Sequence, residues 1–352
     1  MSLLLDSYID SNDTTPLFLN GDALEVLQAF PNDCIDCVVT SPPYWGQRSY
    51  ENGGIGLEDT PEEFISNLLA IIGQIRRVIK PSGSLWLNLG DTYKNKSLLG
   101  IPWRIALRMT DEQKWILRNS IIWNKQKGGM DSTHDRLRNL HENIFHFVKN
   151  GKGYYYDANS IRSKPRQATV KNGAVMSATG VSGKRYRRQI ELNTSLSDTE
   201  KANAFAALDH VLVRIGNGEI SDFRMVIRDT HRATHSDQEK VSGRAREIIE
   251  KGFYFLFYHP NGTLPGDVWD IIPEDSQKRQ KHYAVFPEDI CRVPIMSTCP
   301  ANGIVLDPFC GLGTTNKVAL DLGRKSIGID QSAAYLTLAE QRITREPVKL
   351  FA

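Results

Sequence analysis

The chain is short of several things, and each shortage narrows what it can be. Of its 352 residues only five are cysteine, spread as Cys34, Cys37, Cys291, Cys299 and Cys310. An odd, scattered set is no disulfide framework, and the N-terminus carries neither a charged lead nor an apolar signal core, so a reducing cytoplasm is predicted. No apolar run approaches membrane-spanning length, which predicts no membrane partner. No internal repeat is visible. Cys34 and Cys37 form a C-x-x-C, but inside an apolar stretch and with no second Cys or His pair nearby; they read as core thiols, and no metal site is expected. The last shortage is local: between Arg162 and Arg188 there is no acid, against eight Lys or Arg residues.

What is present is ordinary globular material, 40% apolar and 24% charged, with room for one large α/β domain and a sizeable insertion. The net charge of +2 conceals a segregation. Arg162, Lys164, Arg166, Lys171, Lys184, Arg185, Arg187 and Arg188 hold eight positives, which leaves about six excess negatives elsewhere. Charge sorted in this way argues for a polyanionic partner, although a solvated basic face is the plain alternative.

Alternating strand and helix patterns fill the first 150 residues. Pro16–Leu19 reads as a strand, and Leu24, Val26, Leu27 and Phe30 as the apolar face of a helix. Cys34–Val39 is a buried strand. Thr60-Pro61-Glu62-Glu63 opens a helix with an N-cap, a first-turn proline and first-turn acids, predicted to run to about Ile79. Leu85–Leu89, Trp115–Trp123 and Ile144–Val148 follow as strands, with a helix around Pro102–Met109. From about 160 to 265 the periodicity weakens, with helical texture only around Asp198–Ile215 and Arg244–Gly252. A helix opened by Pro287-Glu288-Asp289 and ending near Thr298 returns the chain to its first pattern. The predicted fold is a mostly parallel sheet covered on both faces, divided as 1–159, an insertion at 160–265, and 266–352.

Two stretches carry chemistry. The strand ending at Val39 runs into Thr40-Ser41-Pro42-Pro43-Tyr44-Trp45. Two prolines fix φ and lack N–H donors, so the turn leaves the sheet stiff, offering a hydroxyl, bare carbonyls and an aromatic face. That surface suits a flat ring bearing an amino group, with donors to Ser41 and the Pro42 carbonyl and the ring stacked on Tyr44. Trp45 either lines such a pocket or packs against the following helix. Far downstream, Gly303–Thr315 is an apolar strand entering Asp307-Pro308-Phe309-Cys310-Gly311-Leu312-Gly313-Thr314-Thr315. Gly311 and Gly313 let backbone approach a ligand before a helix N-terminus, and Asp330, nineteen residues on at the end of the next strand, is placed for the two hydroxyls of a ribose.

The Ser-Pro-Pro-Tyr turn together with Asp307–Thr315 resembles the DNA amino-methyltransferases that modify cytosine N4 or adenine N6. The order of the two motifs resembles the permuted β class of that family. The resemblance spans residues 16–150 and 266–345. It implies a Rossmann-type, S-adenosyl-L-methionine-dependent sheet, circularly permuted, with strands ordered 3-2-1-4-5 and two more. Ile304–Leu306, Ser326–Ile329, Leu17–Leu19 and Ile35–Val39 would be strands 1 to 4, and the 160–265 insertion would occupy the place of target recognition.

Further implications follow residue by residue. Ser41, Pro42, Pro43 and Tyr44 would be catalytic. Asp22, Asp307, Phe309, Gly311, Gly313, Thr314, Thr315 and Asp330 would hold S-adenosyl-L-methionine, as would Phe286 if His282–Pro287 closes the pocket rather than plugging the core. Lys164, Arg166, Lys184, Arg185, Arg187 and Arg188 would meet the phosphates of double-stranded DNA. Asp135-Arg136 with His141-Glu142 resembles a further segment near the active site, or is an ion-paired surface turn; Asp91 is equally open. A serine at the head of the turn favours cytosine N4 over adenine N6, and no Pro-Cys occurs for carbon-5 chemistry. An idle DNA-binding module and an RNA methyltransferase are the competing classes. A cognate restriction endonuclease and a second copy of the chain are the partners the resemblance brings with it.

Overall fold

The computed structural model describes residues 2–46, 54–126, 133–163, 168–171, 174–176, 183–229, 243–273 and 287–345. The chain divides into two compact units, Met1–Ser160 with Gly266–Ala352, and Ile161–Pro265.

The larger unit is built on one eight-stranded sheet. Its order is Leu17–Asn20, Lys325–Asp330, Ile304–Asp307, Ile35–Thr40, Ile79–Leu89, His141–Val148, Ile116–Asn124 and Val268–Asp270. Every neighbouring pair is parallel except the two made by His141–Val148. This is the permuted order expected, with Val268–Asp270 added at the far edge. Strands from the two ends of the chain pair directly: Leu17–Asn20 lies beside Lys325–Asp330. Tyr8, on the helix Ser2–Asp10, ties the same edge, its hydroxyl taking the Ser326 N–H and donating to a carbonyl, at 3.0 Å each.

Two clusters cover the sheet. Val38, Leu85, Leu87, Leu306 and Ile327 face one way, against helices Ala23–Gln28, Pro61–Val78 and Ile101–Asp111. Their alternates Cys37, Val39, Trp86 and Val305 face the other, against Glu288–Thr298 and Thr314–Asp321. Burial on both faces is why these strands read as unbroken apolar runs. The exception inside the Ile35–Thr40 strand is Asp36, 5% exposed. Its carboxylate receives Lys80 at 2.9 Å through both oxygens and the Ile304 N–H at 2.9 Å, which joins three adjacent strands. All five cysteines are free and buried, Cys34 and Cys37 among them.

The smaller unit has its own core, where Tyr186, Ile190, Leu208, Phe223 and Met225 meet. Antiparallel strands Asp222–Ile227 and Phe253–Tyr258 pair over six residues, beside helices Gly183–Leu192, Asp198–Gly216 and Arg244–Lys251. The long helix starts with a capping box, Ser197 and Glu200 each bonding the other's backbone N–H. The sequence suggested neither the paired strands nor the Gly183–Leu192 helix. In that helix only Tyr186 and Ile190 are buried large side chains, one turn apart, and four basic residues around them mask the period.

Candidate active site

Strands Ile304–Asp307 and Ile35–Thr40 are neighbours in the sheet and point the same way, so their carboxyl ends bring the glycine-rich and proline-rich turns side by side. Asp307 joins them. Its side chain is fully buried, one oxygen taking the Thr40 hydroxyl at 2.7 Å and the Phe309 N–H at 3.1 Å, the other the Thr315 hydroxyl at 2.7 Å. Burial pushes this carboxyl up to about 6 against the hydrogen bonds that lower it. Asp307 and Thr315, expected to help hold the cofactor, bond each other here, and the Thr315 hydroxyl also reaches the Val39 carbonyl, so these side chains set the turn's shape. Thr314 is likewise buried, its hydroxyl receiving Arg342 at 2.9 Å, and Arg342 continues to Glu288 at 2.8 Å.

What the glycine turn presents is backbone. Gly311 has φ +51° and open space where a Cβ would stand; Gly313 has φ +69° and forms the N-cap of Thr314–Asp321, with Phe18 and Ala339 each 3.1 Å from its missing Cβ. Asp330 lies on the adjoining strand end and accepts the Gly311 N–H at 2.9 Å and the Ser332 N–H at 2.8 Å. Its carboxyl is raised, burial outweighing these bonds. Asp22 comes from the end of the Leu17–Asn20 strand. It caps the following helix through Leu24 N–H at 2.8 Å and takes Gln331 Nε2 at 2.8 Å on its other oxygen. Phe309 is partly buried against the core.

The proline turn, in contrast, feeds a polar network. Ser41 Oγ stands 3.1 Å from Tyr44 Oη, which donates to Glu142 Oε2 at 2.7 Å. Asn88 Nδ2 reaches all three: Ser41 Oγ at 3.2 Å, Tyr44 Oη at 2.9 Å and Glu142 Oε2 at 2.7 Å. Lys125 pairs with the other Glu142 oxygen and lies 4.9 Å from the Trp123 ring centroid. Burial, then the Glu142 charge, holds the Tyr44 phenol well above its ordinary range. Pro42 is buried, and no described residue donates to its carbonyl.

Tyr44, expected to stack on the base, is half-buried. Its ring lies on the backbone of Gly90, where a Cβ would come within 2.6 Å of it, so that glycine is what admits the tyrosine. Trp45 is partly buried against the core, and its indole N–H donates to the Glu58 carbonyl at 2.8 Å. Asp91 caps from a distance, receiving the N–H groups of Gly100 and Ile101 at the start of Ile101–Asp111. Glu142 belongs to the site, whereas Asp135 pairs with exposed Lys96 and Arg136 lies over Tyr93. Asn88 and Lys125 were not singled out from sequence. An asparagine inside the apolar run Leu85–Leu89 was the available signal.

Of the basic residues, Lys184, Arg185, Arg187 and Arg188 are exposed on Gly183–Leu192, with Arg187 paired to Asp209. Arg185 and Arg188 line a cleft with Gln189, Asn193 and Ser195. Lys164, Arg166 and Phe286 lie outside the described residues. No group of three or more His, Cys, Asp or Glu among the described residues could hold a metal ion, and no described helix is long and apolar enough to cross a membrane.

Known proteins resemble this chain in sequence and in fold. The N6/N4 methyltransferase family model, described as DNA methylase, matches residues 35–341. The Type II methyltransferase M.Cfr9I of Citrobacter freundii is 36% identical, over 94% of this chain and 90% of its own. M.SmaI of Serratia marcescens is 29% identical, over 96% and 94%. Among solved structures, the cytosine-N4-specific PvuII DNA methyltransferase shares the fold with a TM-score of 0.54 at 17% identity, covering 93% of this chain and 89% of its own. A putative DNA modification methylase of Thermus thermophilus, solved with S-adenosyl-L-methionine, does so at 0.51 and 21%, covering 94% and 95%.

Proposed function

The chain belongs to the N6/N4 family of DNA methylases, and from that premise we propose that it methylates the exocyclic N4 of cytosine in duplex DNA, using S-adenosyl-L-methionine. The observation that carries the choice of reaction is Ser41 itself: a neutral hydroxyl at a strand end, beside a buried proline whose carbonyl no described residue occupies. A serine at this position favours cytosine. The family name covers adenine N6 as well, and that is the second reading.

The glycine turn fits the cofactor on its own geometry. Gly311 leaves open space above its backbone, and Asp330, held against that backbone, has carboxylate capacity beyond the two N–H groups it accepts. Gly311, Gly313 and Asp330 would hold the group, with the Thr314–Asp321 helix N-terminus behind them. When bound, S-adenosyl-L-methionine would supply a sulfonium methyl: the new N–C bond would form as the S–C bond breaks and the thioether leaves, with one amino proton released to solvent.

This chain's own task is to make an amine nucleophilic. The lone pair of an exocyclic amine is delocalised into the ring. Hydrogen bonds from its two N–H groups to Ser41 Oγ and the Pro42 carbonyl favour the pyramidal nitrogen that develops at transfer, a stabilisation greater in the transition state than in the ground state. The base has to leave the duplex to reach a strand end, at a cost of about a few kcal/mol. In this reading Ile161–Pro265 recognises the target, with Lys184, Arg185, Arg187 and Arg188 on phosphates; Asp307, Thr314 and Thr315 shape the turn from beneath.

The test is nucleoside mass spectrometry of duplex DNA incubated with protein and S-adenosyl-L-methionine. N4-methylcytosine is expected. N6-methyladenine would move the base and keep the mechanism, and no methylated nucleoside despite cofactor binding would reject the reading in favour of RNA or an idle binding module.

A further inference from the structure

Beyond the turn itself, the hydrogen bonds around Ser41 have a direction, and the direction is set from outside the motif. Glu142 is 8% exposed and faces three donors: Lys125 on Oε1, and Tyr44 Oη and Asn88 Nδ2 on Oε2, each at 2.7 Å. An ionised carboxylate only accepts, so the single Tyr44 proton is committed to Glu142. The contact between Ser41 Oγ and Tyr44 Oη, 3.1 Å, is then resolved in one sense, with Ser41 donating. Asn88 supplies two amide protons to the same three acceptors and accepts from none of them. Among the described residues, every proton within reach of Ser41 Oγ already has an acceptor, which leaves that oxygen's remaining lone pair to accept.

We infer that Glu142, held by Lys125, is a positioning residue that polarises the chain Ser41 to Tyr44 to Glu142, so that Ser41 accepts from an incoming amino group and is mismatched to a carbonyl oxygen. The site thereby selects bases by hydrogen-bond sense as well as by shape. Cytosine and adenine present N–H₂ where uracil and hypoxanthine present C=O. A Gln at 142 carries donors of its own, frees Tyr44 to turn, and lets Ser41 donate or accept. The inference rests on the amino-methylation reading and extends it to the origin of discrimination.

The experiment compares wild type, Glu142→Gln and Tyr44→Phe in single-turnover methylation of a duplex the wild type modifies. It adds binding of that duplex with the mapped target base replaced by its deaminated form, uracil or hypoxanthine. Glu142→Gln is expected to lose roughly a hundredfold in rate, with KM for S-adenosyl-L-methionine within about twofold. Its amine-to-carbonyl binding ratio should fall toward that of Tyr44→Phe, both at least fivefold below wild type by our expectation of roughly 1 kcal/mol per mismatched bond. Each ratio is taken on the same two duplexes, so differences in base-pair opening cancel.

An unchanged ratio in Glu142→Gln overturns the inference even if the rate falls. So does a joint loss of rate, cofactor affinity and thermal stability, which is the pattern of a purely structural residue. Wild type that binds S-adenosyl-L-methionine yet methylates no amino group rejects the underlying reading, and that result is visible before any variant is made.

Discussion

The two turns at the heart of the larger unit are built in opposite ways. Around Ser41 the chain is stiffened by two prolines, and its working groups are side chains in a network with Asn88, Glu142 and Lys125. Around Gly311 the side chains of Asp307, Thr314 and Thr315 are buried under the turn, and backbone is what remains outward. A reacting base needs donors and acceptors placed in a fixed sense, which side chains locked by neighbours provide. A bound cofactor needs close approach and N–H groups, which glycine at positive φ provides. The difference predicts that damage on one side leaves the other standing.

The largest effect is expected on the proline side. In the proposed reaction Ser41→Ala removes an acceptor used most strongly in the transition state, and turnover should fall by roughly 10²–10³-fold. Cofactor affinity measured by calorimetry should stay within about twofold; an equal fall in affinity would merge the two turns into one functional unit. On the glycine side, Gly313→Val puts a branched side chain at φ +69° with Phe18 and Ala339 already 3.1 Å from its Cβ. Cofactor affinity should drop at least tenfold, given about 1–3 kcal/mol for such strain, and the thermal midpoint should fall with it. Methylation at saturating cofactor should suffer far less than in Ser41→Ala.

Asp307, which joins the turns, offers a pH test. Its carboxyl is held at about 6 in the folded chain against an ordinary 3.8. The folded state keeps a proton that the unfolded chain releases between those values. Its contribution to stability is thus fully present below about pH 4 and lost as pH rises through about 6, by up to about 3 kcal/mol. Asp307→Asn cannot ionise, so relative to wild type it should gain stability across that window; thermal melts from pH 4 to 8 read the difference, and parallel curves would refute it. The smallest effect on catalysis should come from the basic helix. Replacing Lys184, Arg185, Arg187 and Arg188 by Ala should leave the amino-methylation step intact once DNA is saturating. The slope of log affinity against log salt should become shallower by about 3 to 4, and an unchanged slope would remove these residues from the phosphate contacts.

How far each region was legible follows from how local its signals are. Ser41–Tyr44 and Gly311–Thr315 announce themselves because proline and glycine act on the backbone at their own positions, whatever surrounds them. The apolar runs ending at Val39, Leu89 and Leu306 show a doubly covered sheet because each strand is buried on both faces. Asn88, Lys125 and Glu142 come from three separate stretches of chain, and only the pairing of His141–Val148 with both its neighbours puts them against Tyr44. In the insertion, Asp222–Ile227 and Phe253–Tyr258 pair antiparallel across intervening chain that includes a helix, so no hairpin turn marks them.

Composition and motif therefore pointed to the family and to two turns whose backbones have little freedom to be anything else. The tertiary structure decided which way those residues face. It placed Asp307 and Thr315 inward, seated Tyr44 on Gly90, and brought Glu142 to the phenol. Orientation of that kind depends on contacts between residues as far as 276 positions apart, and burial and hydrogen-bond satisfaction act on those contacts only after the strands have met.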